Sequence, residues 1–119
     1  MGLRIALLAA TLLPLGGMAA AAAAPLDNAS HSDVRCVAAL ALAANTAEGE
    51  QLTGLAFQLF YYLGRLDGRV PGLDLEAALR QEAPRITPAD QKQLLDSCTA
   101  QYLKRAQDVQ AIGKSMQGS

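Results

Sequence analysis

Two cysteines, Cys36 and Cys98, are the side chains of this chain best suited to covalent chemistry, and that chemistry is a bond to each other. In an oxidising compartment a single pair in a small domain reads as a disulfide, with two buried thiols as the alternative. The loop closed spans about 60 residues, which the chain-entropy model values at roughly 4 kcal/mol. Once paired, they leave His31 as the sole remaining soft ligand, and neither structural nor catalytic zinc sets can be assembled from it. Ser30 and Ser32 flank His31 in a polar stretch, which does not orient an imidazole for a Ser-His-Asp nucleophile. No metal or other cofactor is implied. Gly64 to Gly68 holds two glycines but sits at the end of a helical stretch, where the dipole repels phosphate.

Carboxylates are the remaining enzymatic option. Glu48 and Glu50 are two apart and diverge on a helix. Asp67 and Asp74 bracket a turn, and a small hydrolase would have to use one of them. Arg65 and Arg69 beside them argue for ionised carboxylates and a turn tied by exposed ion pairs, not for the apolar setting that raises a catalytic acid's pKa. The same segment offers a recognition patch of Tyr61, Tyr62, Arg65, Asp67 and Arg69, since tyrosine and arginine are enriched where binding energy concentrates. The expectation is a non-enzymatic protein that binds a protein partner or itself.

The elements that position these residues are all helical. Ser32 before Asp33 reads as an N-cap, and Val34, Cys36, Val37, Leu40, Ala41 and Ala44 then recur at helical spacing up to Asn45. Thr46 opens a second helix with Leu52, Leu55, Ala56, Leu59, Phe60, Leu63 and Leu66 in one stripe. Phe57, Tyr61 and Tyr62 widen it, so this helix is either central in the fold or shows a second face to a partner. Gly68 is expected to end it in the left-handed conformation, and Pro71-Gly72 to turn the chain. Asp74 caps a short third helix that stops at Pro84. Thr87-Pro88-Ala89-Asp90 combines a capping Thr, Pro at the first helical position and an acid at the third, and opens the fourth helix. No segment alternates with period two. The fold expected is an all-α domain of four helices over residues 25–119, with Cys36 and Cys98 tying the first helix to the last and mobile ends at 25–31 and 113–119.

Residues 1–24 decide the compartment. A short positive start ending at Arg4, an apolar run from Ile5 to Leu15 and small residues to Ala24 form the layout of a secretory signal peptide, with cleavage expected after Ala22 or Ala23. A retained anchor, making the protein a structural component of the envelope, is the alternative. No cysteine stands where a lipid-modified one would. Without Arg4 the chain carries nine basic and eleven acidic side chains, a net charge of −2. So weak and unclustered a balance excludes a nucleic-acid face and electrostatic docking on membrane lipid. The protein is expected to be periplasmic or secreted.

Tyr62-Leu63-Gly64-Arg65-Leu66-Asp67-Gly68-Arg69, between one cysteine near the start of the mature chain and another after a Thr-Pro helix opening, resembles a group of small exported alphaproteobacterial proteins of uncharacterised function. The resemblance covers nearly the whole mature chain and brings no mechanism with it. A weaker similarity, of architecture, is to HdeA-type periplasmic acid-stress chaperones, carried by Arg35-Cys36-Val37, Ile86-Thr87-Pro88 and Cys98-Thr99. The cysteines are further apart here, and lysine is scarcer towards the C-terminus. That similarity implies a chaperone-like role in which protonation of the eleven carboxylates leaves a strongly positive, self-repelling chain that opens while the disulfide holds its ends.

Overall fold

Asp27, not Ser32, starts the first helix. Its carboxylate accepts a hydrogen bond from Ser30 N at 2.7 Å, which also lowers its pKa, and α1 runs over Asn28–Ala44. Helix therefore begins within residues 25–31, which were expected to be a mobile end, and Asp33 lies a full turn further in than an N-terminal acid would. The computed structural model describes residues 25–118; residues 1–24, expected to be a signal peptide, lie outside them. Among the described residues there are three further α-helices, α2 (Gly49–Arg69), α3 (Leu75–Glu82) and α4 (Pro88–Gln117), a 3-10 turn at Ala83–Arg85, and no strand. The all-α, four-helix architecture is as expected from the sequence.

The hub of the fold is α1. Val34, Cys36, Val37, Ala38, Ala39 and Leu40 are all buried, and α2, α3 and α4 each pack on this helix. The two adjacent alanines let neighbours approach from different sides, which a leucine pair would block. The longer α2 lies against α1 on one side only. It sends Tyr62 and Leu66 fully into the core, with Leu55, Leu59 and Leu63 half-buried around them. Cys36 and Cys98 are disulfide-bonded, joining α1 to α4 across 62 positions of sequence. Nearer the start of α4, Gln91 Nε2 donates at 2.7 Å to Ala39 O, which lies beyond Cys36 on α1, so α4 runs antiparallel to α1. The end of α2 is bonded to Asp33 near the start of α1, so α2 is antiparallel to α1 as well. It follows that α2 and α4 run in the same direction, and they meet over a short stretch where Gln58 and Thr99 share a hydrogen bond and Tyr61 and Tyr102 an edge-to-face contact.

Two of the helix starts follow the capping expectation. Asp74 accepts from Ala77 N at 3.0 Å at the head of α3. At the head of α4, Asp90 N donates to Thr87 Oγ and Thr87 N to Asp90, a complete capping box. The Thr87 hydroxyl and amide together hold the Asp90 carboxyl below its ordinary pKa. Thr46, by contrast, does not cap α2. Its hydroxyl donates back to Ala43 O, and α2 starts behind Glu48 at Gly49, whose φ is +59°.

Gly68 does not end α2. It is helical, the helix continues to Arg69, and the left-handed residue is Gly72, at φ +81°, within the turn that Leu73 N closes on Val70 O. A Cβ on Gly68 would meet nothing within 4 Å. Gly68→Ala is therefore expected to raise stability by roughly 0.5–1 kcal/mol, the helix-interior cost of glycine, whereas Gly72→Ala should lower it by about 1–2 kcal/mol. Thermal melts of the two variants moving in opposite directions would show it.

Candidate functional site

The segment singled out in the sequence, Tyr61 to Arg69, divides into an inward and an outward half, because successive helical residues are 100° apart. Tyr62 points in. Its side chain is fully buried and its hydroxyl donates to Cys98 O at 2.6 Å, so it supports the α4 end of the disulfide. Burial pushes the phenol pKa up to about 12. Above pH 10 the unfolded chain loses this proton while the native state keeps it, so stability should fall by up to about 1.4 kcal/mol per pH unit between roughly pH 10 and 12. In a titration of phenolate absorbance, Tyr62→Phe should remove a step near pH 12.

Arg65 and Arg69 converge on Asp33 of α1. Arg65 Nε donates to Asp33 Oδ2 at 3.0 Å and Arg69 Nη1 to the same oxygen at 2.9 Å, while Arg65 Nη1 donates to the Tyr61 hydroxyl at 2.9 Å. The carboxylate is 2% exposed; the two arginine side chains are 31% and 38% exposed. Burial alone would lower the Arg65 pKa, but the hydrogen bonds to Tyr61 and Asp33 outweigh it and raise it. The expectation of exposed ion pairs with Asp67 and Asp74 is therefore corrected. Both arginines reach across to a buried acid on another helix, 32 and 36 positions away, and Asp74 is occupied as the α3 cap. Asp67 remains on the surface, in no ion pair among the described residues. Of the five patch residues, Tyr62 belongs to the core and Tyr61, Arg65 and Arg69 to the α1–α2 junction; they form one cluster, but it faces Asp33 and not an open site.

A second acid is treated similarly at the α1–α3 junction. Glu82 is 5% exposed, with His31 Nε2 at 3.1 Å from one carboxylate oxygen and Arg35 Nε at 3.0 Å from the other. His31 is half-exposed and held at its inner end by Glu82. It stands at the edge of an open groove of about 790 Å³ walled by Leu26, Val34, Leu73, Ala77 and Ala78. Ser30 is fully buried and on the neighbouring helical position, and the partner of the imidazole is Glu82, not a hydroxyl. Among the described residues no group of three or more His, Cys, Asp or Glu side chains could hold a metal.

The sequence left open whether α2 is central or shows a second face to a partner, and the structure shows a second face. Phe57 is 58% and Phe60 70% exposed, on the face opposite Tyr62 and Leu66. Every residue from Leu55 to Leu63 except Gln58 is apolar, and a periodicity that full cannot say which side is covered. The signal available was α1. An alanine-rich helix that is itself the hub covers one side of its neighbour and no more. No family model, curated protein or solved structure matches the chain.

Proposed function

We propose that this is an exported, non-enzymatic helical protein that works in the periplasm by binding another protein through the open face of α2. The observation that carries this reading is the pair Phe57 and Phe60, two large aromatic rings held in water on a helix whose other face is locked into the core. Leaving that much apolar surface wet is costly, and aromatic side chains on a rigid support are what protein interfaces concentrate. The Cys36–Cys98 disulfide favours an oxidising compartment, and among the described residues no helix is long and apolar enough to cross a membrane. The aromatic face would equally serve a chaperone-like role, in which the bound chain is an unfolded one.

The test is capture from envelope extract by the purified protein and by its Phe57→Ser/Phe60→Ser variant. Both positions are exposed, so the variant should melt as the parent does. The reading expects specific capture by the parent and its loss in the variant. Equal capture by both would count against the face, and no capture by either, with the parent also monomeric at every concentration, would count against the function.

A further inference from the structure

We infer that the occupant of the α2 face is the projecting end of α4 from a second copy of this chain, packed antiparallel along it. This rests on the protein-binding role of that face and names its partner. Past Tyr102, α4 continues to Gln117 for about four turns, roughly 22 Å. From Leu103 to Gly118 every residue but Asp108 is exposed, and Asp108 is held by Lys104 of the same helix. Most helical stability in proteins comes from tertiary packing of an apolar face, which a stretch this exposed does not draw from its own fold, so it calls for a surface to lie on. It carries Val109 and Ile112, 56% and 55% exposed.

The spacing of the two faces identifies the match. On α2 the exposed row is Phe57, Phe60 and Gly64, with steps of three and four. On α4 it is Arg105, Val109 and Ile112, with steps of four and three. Laid antiparallel, Phe57 meets Ile112, Phe60 meets Val109, and Arg105 crosses over Gly64, where a Cβ would meet nothing within 4 Å and a long side chain has room. One turn further along α2 stands Asp67, within reach of Arg105. Both are exposed, and neither is in an ion pair among the described residues. Within one chain this pairing is excluded, because α2 and α4 run in the same direction. A two-fold axis across them reverses both helices of the second copy, so each face receives the other's α4 end and the assembly closes as a dimer with the contact made twice.

The experiment is sedimentation of the purified protein over a concentration series. A dimer is expected, with Phe60→Ser and Ile112→Ser each weakening it by about tenfold or more, as for a buried anchor. Asp67→Arg should weaken it and Arg105→Asp in the same chain should restore it. Phe60→Cys protein mixed with Val109→Cys protein should give a covalent heterodimer under mild oxidation, and Phe60→Cys mixed with Arg80→Cys should not. A monomer at every concentration, or a dimer indifferent to Phe60→Ser and Ile112→Ser, overturns the pairing. If that monomer still captures a different protein only when Phe57 and Phe60 are intact, the binding role of the face stands and its occupant is another chain.

Discussion

Replacing Arg65 and Arg69 together by alanine should cost about 3–5 kcal/mol, because it leaves the Asp33 carboxylate buried at 2% exposure with no counter-charge. For a domain of this size that is a fall in melting temperature of more than about 10 °C. The single change Arg69→Ala should cost much less, since Arg65 remains on the same oxygen. Asp33→Ala should also cost less than the double arginine change. The two guanidiniums are a third exposed and can turn to water, whereas the carboxylate cannot. This ordering separates a buried charge cluster from a set of surface ion pairs, for which each change would stay under about 1 kcal/mol. A triple variant, Asp33→Leu with both arginines changed to alanine, should recover much of the loss, because an apolar replacement removes the desolvation cost with the pair. Denaturant melts of the four variants measure all of this.

Removing the disulfide by Cys36→Ala/Cys98→Ala should cost roughly 4 kcal/mol on the chain-entropy model for the 62-position separation. Small domains hold only about 5–15 kcal/mol in total, so the variant should be close to unfolding. Both cysteines are buried, Cys36 at 3% and Cys98 at 1% exposure, so a thiol reductant reaches them only when the helices part. Reduction of the native protein should therefore proceed at the rate of opening, slowly in buffer and fast in moderate denaturant. Equal rates in the two conditions would mean the bond is reached from the folded surface. With Tyr62 bonded to Cys98 O, Tyr62→Phe should speed reduction as well as lower stability, by about 0.5–1.5 kcal/mol for the one hydrogen bond lost, since the carbonyl keeps its helical donor.

Local signals were legible in the sequence wherever a single residue decides them. The Thr87-Asp90 box, the Asp74 cap and the positions of Cys36 and Cys98 on inward stripes are all found in place. The errors fall where two residues compete for one task. Asp27 and Ser32 are both good caps, and the structure uses the earlier one, whose carboxylate holds Ser30 N and whose longer helix carries Asp33 to Arg65 and Arg69. Gly68 and Gly72 could both close a turn, and Gly68 stays helical because Val70 N still finds Leu66 O at 2.8 Å. The candidate site was harder. Tyr61, Tyr62, Arg65 and Arg69 were recognised as a group, but their target, Asp33, is a helix away, and nothing local marks an acid in the first helix as buried. Phe57 and Phe60 hide inside an apolar run, and only the knowledge that α1 is the hub shows them to be outside.

The outer face of α2 is the surface through which this protein is proposed to bind. A photoreactive benzophenone side chain placed at position 60 in cells tests that directly, with the same group at exposed position 80 of α3 as control. Illumination should give one dominant covalent adduct to a protein from position 60, a second copy of the chain on the dimer inference, and none from position 80. The absence of any adduct at position 60, or the same adducts from both positions, would contradict it.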